Sequence, residues 1–154
     1  MNVGDTPVFN HSIKGEFSGD NTFTLLESVT IRTKKLNEKY GLTNSQAIVF
    51  QVHPPFVSDG ATIPSFARWL IPRKADWILL AGVAHDWIWG EGFINAFILD
   101  ISTGVIIDHL GNIDVTFAEG NQIMLEKMNS YYAPPLMYLV YFTLELVRLL
   151  TNRK

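Results

Sequence analysis

Three side chains of this 154-residue chain could do chemistry together: Asp59, His85 and Asp86. Asp59 follows the strand-like Phe56-Val57 and precedes Gly60, a strand end turning sharply. His85 and Asp86 close the segment Trp77–Ala84, which is apolar all the way round. A helix of that kind is buried, so polar groups at its end have either partners or a task. Adjacent residues on a helix point about 100° apart, so His85 and Asp86 are each expected to meet a third party rather than each other. Trp87 and Trp89 flank them and either wall a pocket or pack.

Three readings of this cluster stay open. As a metal centre, Asp59, His85 and Asp86 offer one nitrogen and carboxylate oxygens, a donor set suited to a divalent ion such as Zn, Mn or Fe. A catalytic version would keep one coordination position for water. Without a metal, Asp59 orients His85 as a general base, with Ser58 or Thr62 nearby as hydroxyl groups; Ser58 has no nucleophile-elbow motif behind it. The structural reading has Asp59 accept from the amides of Ala61 and Thr62, while a bond to His85 locks strand to helix. Of the remaining histidines, His53 could approach the site from a strand end, His109 belongs in solvent near a turn, and His11 is uninformative.

The elements that must position these groups follow from pattern. Residues 1–8 read as a loose leader and residues 9–58 as strand-rich. Phe23–Leu26 and Val29–Ile31 are β-branched and aromatic, and Ser18-Gly-Asp-Asn21 suits a hairpin turn. Lys34–Tyr40 suits one or two helical turns, closed by Gly41 in a left-handed conformation. Ala47–Val52 is the clearest strand, and Pro54-Pro55 forces the chain to leave or bend, because a proline pair cannot continue a ladder. Thr62 caps a helix over Ser65–Ile71, and a second helix runs from about Lys74 to Trp89, so that 64–89 holds both. Residues 93–114 read as an inserted hairpin across Thr103-Gly104, with Gly111-Asn112 as a further break; a helix over 92–101 competes. Thr116 with Glu119 is a capping box opening a helix to about Tyr131. Pro134-Pro135 precedes the last helix, Leu136–Asn152, in which Glu145 and Arg148 are spaced to pair. The expected fold is α+β: N-terminal antiparallel strands, as a meander, packed on a C-terminal helical half in a single compact domain spanning 1–154.

Composition narrows the function. Hydrophobic residues at 47% and charged residues at 18% describe a globular chain. A net charge of -3 argues against a nucleic-acid partner, and the basic cluster Arg32, Lys34, Lys35 reads as a solvated strand end. With no cysteine, thiolate metal sites, disulfides and cysteine nucleophiles are excluded. The first residues lack the features of a signal peptide, which places synthesis and residence in the cytoplasm unless a particle or a lysis pore carries the protein elsewhere. The last helix carries two interior charges and is expected to pack rather than span a membrane, with contact of 136–152 to a membrane surface as the lesser alternative.

Two blocks, Phe56-Val-Ser-Asp-Gly-Ala-Thr-Ile-Pro64 and His85-Asp-Trp-Ile-Trp89, in this order and spacing, resemble the phage and prophage family called domain of unknown function 1353 (DUF1353). Ser58 and Thr62 stand where the family pattern has Thr and Ser. Gly120-Asn121 stands where that pattern carries an Ala-Asp pair, so a carboxylate that could serve a metal is replaced by the Asn121 amide. The resemblance implies a bacteriophage protein made in the host cytoplasm and in some cases carried in the virion. Its partners would be other phage structural proteins or a second copy of itself. It implies no activity. Two functions of different class follow: a non-enzymatic virion, assembly or lysis accessory component whose polar cluster only holds shape, or a small metal-dependent or general-base hydrolase of cell-wall peptide or amide bonds. An open cleft at Asp59 and His85 would favour the second, a sealed interior the first.

Overall fold

A computed structural model describes residues 1–9, 12–18, 22–58, 76–129 and 136–151. The architecture is α+β, with two antiparallel sheets and three helices. The smaller sheet has the order β1-β2-β5, from strands Gly15–Phe17, Phe23–Leu25 and Phe56–Ser58. The larger has the order β3-β4-β6-β7, from Val29–Thr33, Gln46–Val52, Phe93–Asp100 and Val105–Asp114. Helices α1 (Asp76–Glu91), α2 (Phe117–Asn129) and α3 (Leu136–Leu150) complete it.

The expected single meander is thus divided between two sheets, and the prolines give the reason. β4 pairs with β3 and β6, but the chain beyond Val52 reaches Pro54 and Pro55, which have no N–H to give a ladder. It leaves the larger sheet there and re-pairs as β5 with β2, Ser58 opposite Phe23. Ser58, the last residue of β5, is thereby delivered beneath α1, against which β5 packs.

Residues 93–114 form a hairpin, as expected, and the competing helix does not form. Gly111, expected as a break, instead sits inside β7 at φ 73°, opposite Ala96. The register shifts between Ala96 and Phe97, so Leu110 is an extra residue and the strand bulges rather than ends; a glycine supplies the positive φ that such a bulge needs. Residues 1–9 are not loose against this hairpin. The Gly4 amide donates to the Ile106 carbonyl at 2.8 Å and the Ile106 amide to Asp5 at 2.9 Å. The 34–41 segment makes turns closed by Gly41 at φ 65°.

The main core lies between the larger sheet and the helices, where Ile48, Phe50, Ile94 and Ala96 meet Val83, Ala84 and Ile88 of α1 and Ile123 of α2. The capping box opens α2: the Glu119 amide donates to Thr116 Oγ1 at 3.2 Å and the Thr116 amide to Glu119 Oε2 at 2.8 Å. α1 and α2 approach closely because residue 120 is glycine; a Cβ there would lie 2.9 Å from Ile88 Cγ2. The first expected helix, Ser65–Ile71, lies outside the described residues.

Candidate functional site

A continuous chain of side-chain hydrogen bonds crosses the interior where β5, α1, α2 and α3 meet. It begins at Ser58, whose Oγ donates to Asp86 Oδ2 at 2.5 Å. Asp86 Oδ1 lies 3.1 Å from His85 Nδ1, and His85 Nε2 lies 3.1 Å from Asn121 Oδ1. Asn121 Nδ2 donates to Glu145 Oε1 at 2.7 Å, and Arg148 Nε donates to Glu145 Oε2 at 2.9 Å. Four elements are therefore tied by six side chains. The expectation that His85 and Asp86 do not face each other is corrected here. Both side chains are short, with Asp86 Oδ1 and His85 Nδ1 near their own backbones, so the carboxylate reaches its neighbour's ring despite the helical angle.

The directions of these bonds can be assigned from the ends inward. Glu145 accepts from Arg148 and offers no proton, so Asn121 must turn its NH2 toward Glu145 and its oxygen toward the ring. His85 Nε2 then has to be a donor. Nδ1 faces the Asp86 carboxyl group at 3.1 Å. Arg148 balances the Glu145 charge. Asn121 joins the His85–Asp86 and Glu145–Arg148 pairs as a neutral amide that donates on one side and accepts on the other. An aspartate at 121 could do only half of this against Glu145. Gly120 and Asn121 each have a local reason in this chain: the glycine admits Ile88 and the amide bridges His85 to Glu145.

The middle of the chain is buried. His85 is 2% exposed, Asn121 0% and Ser58 1%. Trp89 lies against the His85 ring, tilted by 36° with centroids 4.6 Å apart, and meets Phe117 in a T-shaped contact at 5.0 Å. Only Asp86, Glu145 and Arg148 keep partial access to solvent, at 17–21% of their side chains.

Of the expected site residues, the structure brings together Ser58, His85, Asp86, Trp89 and Asn121. Trp87 points elsewhere and meets Phe56 edge-on at 5.3 Å. Asp59 and Thr62 lie outside the described residues, as does His11. His53 bonds to Ser28 rather than to His85, its Nδ1 3.0 Å from Ser28 Oγ. Glu145 and Arg148 were legible as a pair, but not as the end of this chain. The signal was present, since a carboxylate in the middle of an apolar helix must find a donor.

Two chemical readings can be tested against these distances. A Ser-His nucleophile needs the serine hydroxyl on an imidazole nitrogen, whereas Ser58 donates to Asp86 and both nitrogens of His85 are engaged elsewhere. A metal ligand needs a lone pair on one ring nitrogen, and here both nitrogens of His85 lie within hydrogen-bond distance of protein groups, Asp86 and Asn121. Among the described residues no three His, Asp or Glu side chains gather round one point. No helix of the described residues is long and apolar enough to cross a membrane.

Comparison with known proteins gives one relation. The model of a family described as "Protein of unknown function (DUF1353)" matches residues 34–141, well over half of the chain. Searches of curated proteins and of solved structures return no match.

Proposed function

The chain belongs to the DUF1353 family, and from that premise we propose that it works without catalysis, as a virion-associated, assembly or lysis accessory component of a bacteriophage or prophage. The observation that supports this is the hydrogen-bond chain from Ser58 to Arg148: its central groups are buried, and the Ser58 hydroxyl and both His85 nitrogens are engaged by protein side chains. Such a network fixes one relative position of β5 and three helices. The faces that remain for partners are apolar and outward. Phe142, Leu146 and Leu149 of α3 are more than half exposed, and Ile107 stands out from the β6–β7 hairpin. Other phage structural proteins or a second copy of the chain are the partners that this reading implies, and virion incorporation follows from it.

A second reading, a general-base hydrolase of cell-wall peptide or amide bonds, draws on one feature: Asp86 keeps some exposure while accepting from the Ser58 hydroxyl. One experiment separates the two. Purified protein, with and without added Zn or Mn, is incubated with peptidoglycan, and soluble fragments are measured beside the thermal stability of Asp86→Asn. The accessory role predicts no fragments and a lower melting temperature for the variant. Fragment release that Asp86→Asn abolishes at unchanged stability would overturn it. In parallel, mass spectrometry of particles from an induced lysogen that encodes the chain should find it in the particle or in assembly intermediates.

A further inference from the structure

The larger sheet turns Val49, Phe97, Leu99 and Ile106 away from the helices, and Met1 and Phe9 cover these four. Beyond that cover the same face becomes polar. Two cavities open there, of about 410 and 160 Å3, which share Met1 and Gln51 as lining residues. The larger is already within the ~300–1,000 Å3 range of small-ligand pockets.

The polar groups around them are oriented by neighbours and only partly used. Gln51 Nε2 donates to Thr30 Oγ1 at 3.1 Å, which leaves Gln51 Oε1 as an acceptor. His109 Nε2 donates to Asn95 Oδ1 at 2.7 Å while its ring stacks on Phe97 at 4.2 Å, which leaves Asn95 Nδ2 as a donor. Ser28 holds Nδ1 of His53 at 3.0 Å, which leaves Nε2. Among the described residues none of these three atoms has a protein partner. Trp87 and Phe93 add an apolar wall, with Trp87 held in place by Phe56.

Charge narrows the ligand. No Lys or Arg side chain lines either cavity, and the two charges on lining residues, the amino terminus of Met1 and the Asp5 carboxylate, are opposite in sign, so the lining has no net charge to select an ion. The one lining carboxylate, Asp5, already accepts from the Asn2 amide at 2.7 Å. The geometry points to a binding site for a neutral polyhydroxylated ligand, a saccharide unit. Each sugar hydroxyl both donates and accepts, which suits one free acceptor, one free donor and one imidazole nitrogen. The C–H face of a sugar ring is apolar and suits the Trp87–Phe93 wall. None of these groups belongs to the Ser58–Arg148 chain, so the inference stands or falls separately from the proposed function.

The test is a titration of the full 15N-labelled chain with methyl glucoside, methyl galactoside, N-acetylglucosamine and the N-acetylglucosamine trimer. Saturable movement of the Asn95 and Gln51 side-chain amide signals is expected for at least one of these, with Kd on the order of 1 mM. Loss of one hydrogen bond should weaken binding about five- to tenfold in Asn95→Ala and in Gln51→Met. Asn95 is exposed, so its variant should keep the wild-type melting temperature and spectrum elsewhere. The inference is overturned if no sugar moves these signals, if both variants bind as the wild type does, or if inorganic phosphate or glutamate binds there more tightly than any of the four.

Discussion

Replacing Asn121 by leucine tests the polar chain at its middle. Leucine has the branching of asparagine and prefers a helix more, but its methyl groups are larger than the amide atoms they replace, so at this fully buried position overpacking adds to the loss of two hydrogen bonds. His85 Nε2–H is then left without an acceptor in a residue that is 2% exposed, which costs about 1–3 kcal/mol for an unsatisfied buried group. Glu145 loses one donor but keeps Arg148 and 19% of its side-chain exposure, so its share is at the low end of that range. Together the two hydrogen-bond losses should cost about 2–4 kcal/mol, with overpacking acting in the same direction. With a urea m-value of about 2 kcal/mol/M for a chain of this size, the unfolding midpoint falls by about 1–2 M. Urea unfolding followed by circular dichroism measures it. Asn121→Asp sharpens the test, because a carboxylate there faces Glu145 without a proton to share. Glu145→Gln should restore part of the loss in the double variant by supplying a donor. If Asn121→Leu shifts stability by less than about 0.5 kcal/mol, the network is not what holds α1 to α3. Strict additivity of Asn121→Asp and Glu145→Gln would refute the assigned direction of the amide.

Three further predictions concern α2. Gly120→Ala gains up to about 1 kcal/mol of helix propensity but drives a methyl to 2.9 Å from Ile88 Cγ2, and overpacking of about 1–3 kcal/mol should leave a net loss in melting temperature. At the helix start, burial alone would raise the Glu119 pKa, but the Thr116 amide, the Lys39 ammonium at 3.0 Å and the Thr116 hydroxyl outweigh it and hold the group below its usual 4.5. A carboxylate lowered on folding stabilises the fold above its unfolded pKa and loses that contribution as pH falls through its folded value. Wild type should therefore shed stability below about pH 4.5 that Glu119→Gln does not shed. Thr116→Ala should cost about 1 kcal/mol at neutral pH in the same melting assay.

Much of this protein was legible as local pattern. The Thr116–Glu119 cap, the glycine-closed turn at Gly41, the 93–114 hairpin and the Glu145–Arg148 pair each depend on residues within a few positions of one another. Backbone sterics, caps and side-chain spacing act at that range, and a sequence displays them directly. The buried setting of His85 was also legible, because an apolar helix has no face to give to water. The partition of strands between two sheets was not. Pro54-Pro55 says that the chain leaves β4, but which strand β5 joins depends on the space that β2 leaves open. Nor could sequence connect residues 58, 86, 85, 121, 145 and 148. They are brought together by the packing of β5 and three helices, and the role of Asn121 exists only once Glu145 stands on its far side. Local propensity determined which segments became strands and helices; packing decided that a histidine and an aspartate, expected to seek separate partners, would form the middle of one closed chain.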